Sequence, residues 1–371
     1  HEQDGGEPVV TKVLTAIRGG SGAPDLMQAE FQALPTLIAG EALTDISGEV
    51  DPSIADEFPE GLWSQVTLDT EAVYAIPQDS GPMMFYYRED VFDEHDLEVP
   101  TTWDEYADVA RELQEKDPSA YLGTFSSGDP GWFAGLSQQA GASWWGIEGD
   151  AWAVNVDDEP TQRVAEFWGG LVEEGVIDNK PMYTPEWNAA LNDGTQVGWV
   201  GAVWAPGVLE GNAGDTEGLW QMAPLPQWDP DAPATGTWGG STTAVTSQSE
   251  NVAAAVEFAT WLNTSEEAVK ALVTESAIYP ANVTHQAEAL AEPPSFFSEQ
   301  ADFYELAGEI AQTVNGFSYG PNVNVAYSEY TDEFADAAEA RSQQAFVDAV
   351  TAIDETTYGD LADSGYNVVE R

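Results

Sequence analysis

The chain of 371 residues carries 66 Asp and Glu against 10 Lys and Arg, a formal net charge of −56, and it contains no Cys. The excess of acids excludes nucleic acid as a partner, since phosphate binding needs clustered basic residues, and the lack of Cys excludes disulfides, thiolate nucleophiles and Cys-ligated metals. Because 43% of the residues are hydrophobic and 14 are Trp, we expect a folded protein and not a disordered acidic chain. Its length predicts two lobes, and its acidic surface predicts adaptation to very high salt.

The first two thirds of the chain alternate between helical and extended patterns, which indicates α/β layering. In chain order we predict a helix at Val9–Ile17, a strand at Leu26–Phe31, a helix at Ala33–Ala39, strands at Ala72–Ile76 and Met83–Tyr87, a capped helix from Thr102 to Lys116, a strand at Tyr121–Phe125, a helix after Gly128–Trp132, a hairpin at Trp144–Val156, helices at Pro160–Glu174 and from Thr184, and strands at Val197–Trp204, Trp220–Trp228 and Thr237–Thr246.

After Ser249 the pattern is mostly helical. We predict helices at Val252–Leu262, from a capping box at Thr264, at Phe303–Val314, and one long helix from Ala326 to Ile353. The sequence contains no run of about 18 apolar residues, so we predict no membrane span.

The stretch from Ala72 to Arg88 holds the most informative turn. Two β-rich runs flank the polar segment Pro77–Pro82, which contains Asp79. A carboxylate fixed in this turn can accept hydrogen bonds from the hydroxyls of a neutral polyol. We expect the chain to cross here from one lobe to the other, with a ligand nearby; the alternative is a tight surface turn in a sheet.

An ordered set of short motifs extends over most of the chain. They are Thr15–Leu26, Ile76–Pro82 with Tyr86–Arg88, Pro100–Glu105, Asn192–Gly194 with Gly201–Trp204, and Trp261-Leu262 before Thr264. In this order and spacing the chain resembles the extracellular solute-binding proteins of carbohydrate ABC importers, the group that includes maltose-binding proteins. The resemblance implies a two-lobed α/β fold of the type II periplasmic binding proteins, with hinge strands and a ligand cleft between the lobes.

The resemblance also implies where the lobes divide. Lobe 1 is expected at 1–84 plus 245–310, and lobe 2 at 85–244 plus 311–371. The family pattern starts with a strand, an aromatic loop and a helix that have no match here, so we expect an N-terminal segment to be missing from this sequence. A lipid anchor would lie in that segment.

Candidate ligand-binding residues follow from matching positions in the family. They are carboxylates, amides and aromatic rings, the groups that bind sugar hydroxyls and cover the apolar faces of sugar rings: Glu30, Gln32, Asp79, Asp129, Trp132, Trp204, Trp238, Gly240 and Tyr327. Tyr327 is expected to stack across from Trp204. Trp145 and Trp187 are lesser candidates, and Tyr319 is either a ligand contact or a loop anchor. For each Trp the alternative is packing in the core.

The function that the resemblance implies is capture of a sugar by hinge closure and its delivery to the permease subunits, without catalysis and without a cofactor. The protein is expected to be an extracellular monomer tethered to the membrane, and two sequons, at Asn263 and Asn282, permit glycosylation. The ligand class extends to other polyols, although few basic residues disfavour a phosphate diester.

Two alternatives stay open at this stage. One is an exported, salt-adapted glycoside hydrolase with a carboxylate pair, and the other is a structural cell-surface protein, which the absence of repeats disfavours. His1, His95 and His285 are scattered and suggest neither a triad nor a zinc site, and Asp157–Glu159 lacks the ligand spacing of a calcium loop.

Overall fold

The computed structural model describes residues 7–68 and 70–369, so His1 lies outside the described residues. The helices are α1 (Glu7–Gly19), α2 (Leu34–Ala39), α3 (Glu60–Thr67), α4 (Glu89–Glu94), α5 (Trp103–Lys116), α6 (Pro130–Gln139), α7 (Glu159–Glu174), α8 (Pro185–Asp193), α9 (Ala205–Asn212), α10 (Val252–Thr264), α11 (Glu266–Ser276), α12 (Gln286–Ala289), α13 (Phe303–Ala311), α14 (Val323–Ala340) and α15 (Gln343–Asp363). The strands are β1 (Leu26–Glu30), β2 (Ala75–Pro77), β3 (Met83–Arg88), β4 (Trp145–Glu148), β5 (Ala151–Val154), β6 (Gly198–Ala202), β7 (Trp220–Pro224) and β8 (Ser241–Val245).

The chain divides into two compact units. Unit 1 contains the residues up to Gly81 together with 239–291 and 319–324, and unit 2 contains 82–238, 292–318 and the residues from 325 onward. The first two divisions lie close to the predicted crossings, but residues 292–310, which we expected in lobe 1, group with unit 2. Phe297 explains this grouping, because its ring lies 5.5 Å from the ring of Tyr86 on β3.

Unit 1 is built on a three-stranded antiparallel sheet in the order β1-β8-β2. Apolar residues of α1 and α2 pack against β1, and apolar residues of α10 pack with β2 and β8 in a second cluster. In the sheet Glu30 is paired with Ser241, and Pro77 with Thr242. Therefore the carboxyl ends of β1 and β2 both lie at the start of β8, and the polar residues that follow these strands come together there.

Unit 2 is built on a second antiparallel sheet, in the order β6-β3-β7. The central strand β3 begins with Met83–Tyr86, all fully buried, which explains its continuous apolar run. A hairpin joins β4 to β5, and α7 packs along α15. The site residues of this unit lie after strand β6 and at the start of α6.

Several local predictions are confirmed because they depend on neighbouring residues alone. Thr102 and Glu105 form the predicted capping box of α5, and the hairpin at 144–156 is present. The cap predicted at Thr264 is wrong by one residue: the Ser265 hydroxyl accepts the hydrogen bond from the backbone N–H of Ala268. The strand predicted at Tyr121–Phe125 is also wrong, since this segment makes only isolated bridges.

The predicted long helix from Ala326 to Ile353 is interrupted. Arg341 has φ +49°, the left-handed conformation that ends a helix, and Ser342 is extended and directly precedes α15. The apolar spacing continues through the break, so periodicity could not locate it. The segment forms the two helices α14 and α15.

Candidate functional site

In unit 1 the side chain of Asp79 is fixed by Ser241. Asp79 follows β2 and is 8% exposed, and its Oδ1 accepts hydrogen bonds from the backbone N–H of Ser241 at 2.6 Å and from the Ser241 hydroxyl. The backbone N–H groups of Gln78 and Asp79 both donate to the carbonyl oxygen of Ser241. The predicted polar turn is thus tied to the first residue of β8, which holds the carboxylate in one orientation.

Glu30 provides a second carboxylate beside Asp79. Glu30 is the last residue of β1, and its carboxylate accepts a hydrogen bond from the side-chain amide of Gln32. Burial and the charge of Asp79 raise the pKa of Glu30, and burial raises the pKa of Asp79 against the lowering effect of its bonds to Ser241. Two buried carboxylates this close repel each other, so ligand hydroxyls that donate to them would stabilise both.

An amide network supports these acids. Gln28 donates from Nε2 to Gln78 Oε1 at 2.6 Å and to Ser241 Oγ at 3.0 Å. Gln78 in turn donates to Asn263 Oδ1 at 3.2 Å. We call Gln28, Glu30, Gln32, Gln78, Asp79 and Ser241 the unit 1 polar cluster. Sequence analysis missed Gln28, Gln78 and Ser241, although Gln78 lies within the polar turn that it singled out.

Gly240 has a backbone role in this cluster. Its φ is +93°, its carbonyl oxygen accepts a hydrogen bond from the N–H of Phe31 at 3.2 Å, and a Cβ would lie 3.3 Å from the Phe31 ring and 3.4 Å from Ser80 Cα. Only glycine adopts this conformation readily and permits this approach. Gly240 therefore brings the start of β8 against the residue after Glu30.

In unit 2 five rings form the aromatic cluster, which consists of Tyr183, Trp187, Trp199, Trp204 and Trp238. The rings of Trp204 and Trp238 meet edge to face with centroids 4.7 Å apart, and Trp204 Nε1 donates to the carbonyl oxygen of Trp238 at 2.8 Å. Trp199 packs against both, at 5.9 and 6.1 Å. Trp204 is half-buried and Trp238 is 6% exposed. These two predicted residues therefore lie in contact within the same cluster.

Asp129 joins this cluster to helix α6. Its Oδ1 caps the helix by accepting a hydrogen bond from the N–H of Trp132 at 3.2 Å, and it also accepts one from Trp238 Nε1 at 3.0 Å. A Cβ at Gly131 would lie 3.2 Å from the Trp238 ring, so glycine permits this approach. A carboxylate beside aromatic rings is the combination that binds a sugar through its hydroxyls and its C–H face.

Trp132 is packed among core residues of unit 2. It is 1% exposed, its Nε1 donates to the carbonyl oxygen of Val200, and its ring packs against Phe125 and Trp168. These contacts favour the alternative of packing in the core of unit 2, and a ligand contact by this ring stays a prediction. Trp145 is likewise a core residue at 1% exposure.

Trp187, Tyr327 and Tyr319 are the remaining candidates. Trp187 is 2% exposed and supports the aromatic cluster from within. Tyr327 is half-buried on α14, and its stacking on Trp204 stays a prediction, as does a ligand contact by Tyr319.

The two sequons are structural positions. Asn263 is 2% exposed and donates to Thr243 Oγ1 and to the carbonyl oxygen of Ala259. Asn282 is fully buried and donates to Glu57 Oε2. Both amide nitrogens are buried and hydrogen-bonded in the folded protein, which disfavours modification after folding, and glycosylation at these two sites stays a prediction.

The acidic run Asp157–Glu159 serves helix capping. Asp158 caps α7 by accepting from the N–H of Thr161 at 2.9 Å, and Asp157 accepts from Thr351 Oγ1. Across residues 7–68 and 70–369, no three His, Asp or Glu side chains are grouped to hold a metal ion. None of the helices in the described part of the chain is long and apolar enough to cross a membrane.

Comparison with known proteins identifies the family. A family model described as "Bacterial extracellular solute-binding protein" matches residues 2–269. The chain belongs to this family. The predicted solute-binding family is thereby confirmed.

Two relatives in this family are named for sugars. An arabinooligosaccharide-binding protein of Halalkalibacterium halodurans is 27% identical over 311 residues, 80% of this chain and 66% of that protein. A lactose-binding protein of Rhizobium radiobacter is 24% identical over 322 residues, 84% of this chain and 70% of that protein. The chain thus spans about two thirds of the length of these solute-binding relatives.

Two solved solute-binding proteins share the fold. The galacto-N-biose-/lacto-N-biose I-binding protein of Bifidobacterium longum, in complex with lacto-N-biose, has a TM-score of 0.86 and 26% identity, over 99% of this chain and 89% of that one. A binding protein from B. animalis subsp. lactis, in complex with β-1,6-galactobiose, has a TM-score of 0.89 and 25% identity, over 100% of this chain and 92% of that one. This likeness confirms the predicted fold class, the two-lobed α/β fold of type II periplasmic binding proteins.

Proposed function

We propose that this protein is the substrate-binding component of an ABC importer and that its ligand is a neutral sugar or oligosaccharide. The observation that carries this proposal is the carboxylate of Asp129, which accepts a hydrogen bond from Trp238 Nε1 at the edge of the aromatic cluster. A carboxylate next to indole rings matches the two sides of a sugar ring, its hydroxyls and its C–H face.

The unit 1 polar cluster supports the same ligand class. Asp79 and Glu30 are oriented acceptors for hydroxyl groups, and Gln32 and Gln78 add amide donors and acceptors. None of the side chains proposed to touch the ligand is basic. A neutral sugar is favoured because the negative charge of a phosphate or a uronate would be repelled by the carboxylates of the unit 1 polar cluster and likewise by that of Asp129.

The names of the relatives support a sugar but differ among themselves. Proteins named for arabinooligosaccharides and for lactose lie at similar identities, and the two solved complexes hold lacto-N-biose and β-1,6-galactobiose. All four names describe binding rather than turnover. We therefore propose binding without catalysis, of a small neutral oligosaccharide, and leave the sugar to be identified by screening.

The remaining parts of the proposal concern context. A solute-binding protein outside the membrane delivers its ligand to permease subunits, and we propose this role for a monomer of this chain, attached through a preceding segment. Closure of the lobes around the ligand is the expected mechanism. The acidic composition leads us to propose that all of this takes place at high salt.

The test is a thermal-shift screen in molar salt with arabinooligosaccharides, lactose, lacto-N-biose, β-1,6-galactobiose and a uronic acid. A bound neutral sugar raises Tm by mass action, and isothermal titration then gives Kd. Chromatography of the sugar after incubation shows whether it is intact. Release of shorter products would favour a glycoside hydrolase, and the absence of binding to any neutral sugar would overturn the proposal.

A further inference from the structure

Tyr183 has an unusual backbone for a bulky residue. Its φ is +64°, in the left-handed region that side chains other than those of Gly and Asn rarely adopt. The residue on each side of it is anchored: Met182 N–H donates to Ser126 Oγ at 3.1 Å, and Thr184 Oγ1 caps α8 by accepting from the N–H of Trp187. The surrounding structure therefore holds Tyr183 in a strained conformation, a feature that concentrates at ligand sites.

Tyr183 is the most exposed residue of the aromatic cluster. Tyr183 is 44% exposed, whereas Trp187 and Trp199 are 2% and Trp238 is 6% exposed. Its ring centroid lies 5.5 Å from that of Trp187, 6.4 Å from Trp199 and 6.3 Å from Trp238. Three buried indoles thus support one open ring, which is the arrangement of a platform and not of a core residue.

The phenol of Tyr183 interacts electrostatically with Asp129. Burial, and then the negative charge of Asp129, raise the pKa of the Tyr183 phenol. The phenol therefore stays protonated and remains a hydrogen-bond donor across the working pH range. A ligand that lies on the ring would meet an apolar face near the charge of Asp129.

We propose that Tyr183 is a ligand-binding residue, whose ring receives the C–H face of a neutral sugar unit and so selects sugars with such a face. This inference rests on the proposed function and adds a residue that the sequence motifs did not point to. The strain is explained by it: the left-handed backbone turns the ring out of the core and onto the three indoles.

The experiment uses the full chain in molar salt and compares four variants with the parent protein. Tyr183→Gly removes the ring and relieves the strain, Tyr183→Asn keeps a side chain that tolerates positive φ, and Tyr183→Phe keeps the ring. Leu68→Gly is the matched control, because Leu68 has φ +48° and is 39% exposed at the end of α3, away from the proposed site. Tm without ligand and Kd for lactose and β-1,6-galactobiose are measured for each.

Relief of strain is expected to leave the Tm of Tyr183→Gly equal to or above that of the parent protein, as in Leu68→Gly. Its affinity is expected to fall about tenfold or more, with a similar loss in Tyr183→Asn and retention in Tyr183→Phe and Leu68→Gly. If the parent binds and Tyr183→Gly binds equally well, the role of Tyr183 is refuted while the proposed function stands. If the parent binds none of the neutral sugars in the screen, the proposed function fails, and this assignment fails with it.

Discussion

The indole N–H of Trp238 donates a hydrogen bond to Asp129 Oδ1 at 3.0 Å, although 109 residues separate the two positions in the chain. The same oxygen accepts the N–H of Trp132 and so caps helix α6. Asp129 therefore has a structural task and a proposed binding task, and a substitution can separate them. The cap and the indole bond need only an acceptor oxygen, whereas strong binding of ligand hydroxyls needs the negative charge.

Asp129→Asn is expected to keep the fold and lose affinity. Asn caps helices as well as Asp does, so the free energy of unfolding should change by less than about 1 kcal/mol. The loss of charge-assisted hydrogen bonds should weaken sugar binding by about ten- to a hundredfold. Titration calorimetry and thermal unfolding measure the two effects, and Asp158→Asn is the control because Asp158 caps α7 in the same way, outside the site. An unchanged Kd would remove Asp129 from the site.

Asp79→Asn is expected to stabilise the protein while it abolishes binding. Burial raises the pKa of Asp79, so the folded state binds more protons than the unfolded state between the two pKa values. The free energy of unfolding of the parent protein then falls as pH rises from the unfolded pKa through the folded one. The neutral Asn avoids this loss, because its oxygen can still accept both bonds from Ser241.

The Tm difference between Asp79→Asn and the parent should thus be positive at neutral pH and shrink as pH falls from the raised pKa of folded Asp79 to the ordinary Asp value, with about 1–2 °C for each kcal/mol. Asp45→Asn is the opposing control, since hydrogen bonds from Ser47 lower the pKa of Asp45. Removal of the Asp45 charge should therefore lower the free energy of unfolding at neutral pH. Melting curves across a pH series test the sign. A Tm of Asp79→Asn below that of the parent at neutral pH would contradict the role of burial.

Local sequence patterns were sufficient for much of the fold but not for the site. The capping box at Thr102 depends on neighbouring residues, and it was predicted correctly. The break at Arg341 was missed because the left-handed conformation of one residue leaves the apolar spacing on either side unchanged. The exact end of a helix was therefore less predictable than its presence.

The site residues could be predicted only in part, because residue type alone does not reveal whether a side chain is buried. Trp132 and Trp238 are the same residue type and both lie near turns, yet one fills the core of unit 2 and the other bonds to Asp129. Tyr183 carried no sequence signal, since its positive φ is imposed by hydrogen bonds at Met182 and Thr184. Tertiary contacts decide which rings remain open, and single-sequence patterns contain little information about them.

Trp132→Phe and Trp204→Phe are expected to have opposite effects. Trp132→Phe leaves the buried carbonyl of Val200 without its donor and should cost about 1–3 kcal/mol of stability with an unchanged Kd. Trp204→Phe loses the hydrogen bond to the carbonyl oxygen of Trp238 at the half-buried edge of the cluster. Its affinity for the sugar should therefore fall, while its Tm should change little. Calorimetric titration beside thermal unfolding distinguishes them, and a weaker Kd for Trp132→Phe at unchanged Tm would reverse our placement of the two rings.

The sequon at Asn282 is expected to stay unmodified in folded protein. Its amide donates to Glu57 Oε2 at 2.8 Å, and its Oδ1 accepts from the N–H of His285 at 3.0 Å. Asn282→Ala should therefore cost about 1–3 kcal/mol, whereas Thr284→Ala destroys the sequon at an exposed position and should leave Tm unchanged. Peptide mass spectrometry of protein secreted from a glycosylating host reads out the modification, and a glycan on Asn282 would contradict its burial.

Stability is expected to increase steeply with salt and then level off. The net charge of −56 produces repulsion within the folded chain, and the Debye length falls from about 10 Å at 0.1 M to about 3 Å at 1 M ionic strength. If screening is the cause, NaCl and KCl should raise Tm equally and most of the rise should occur below about 1 M. Exclusion of salt from the protein surface would instead give a continued rise that is larger for sulfate than for chloride at equal ionic strength. Sucrose, which screens no charge, is the control, and a Tm independent of NaCl would disprove that repulsion limits this fold.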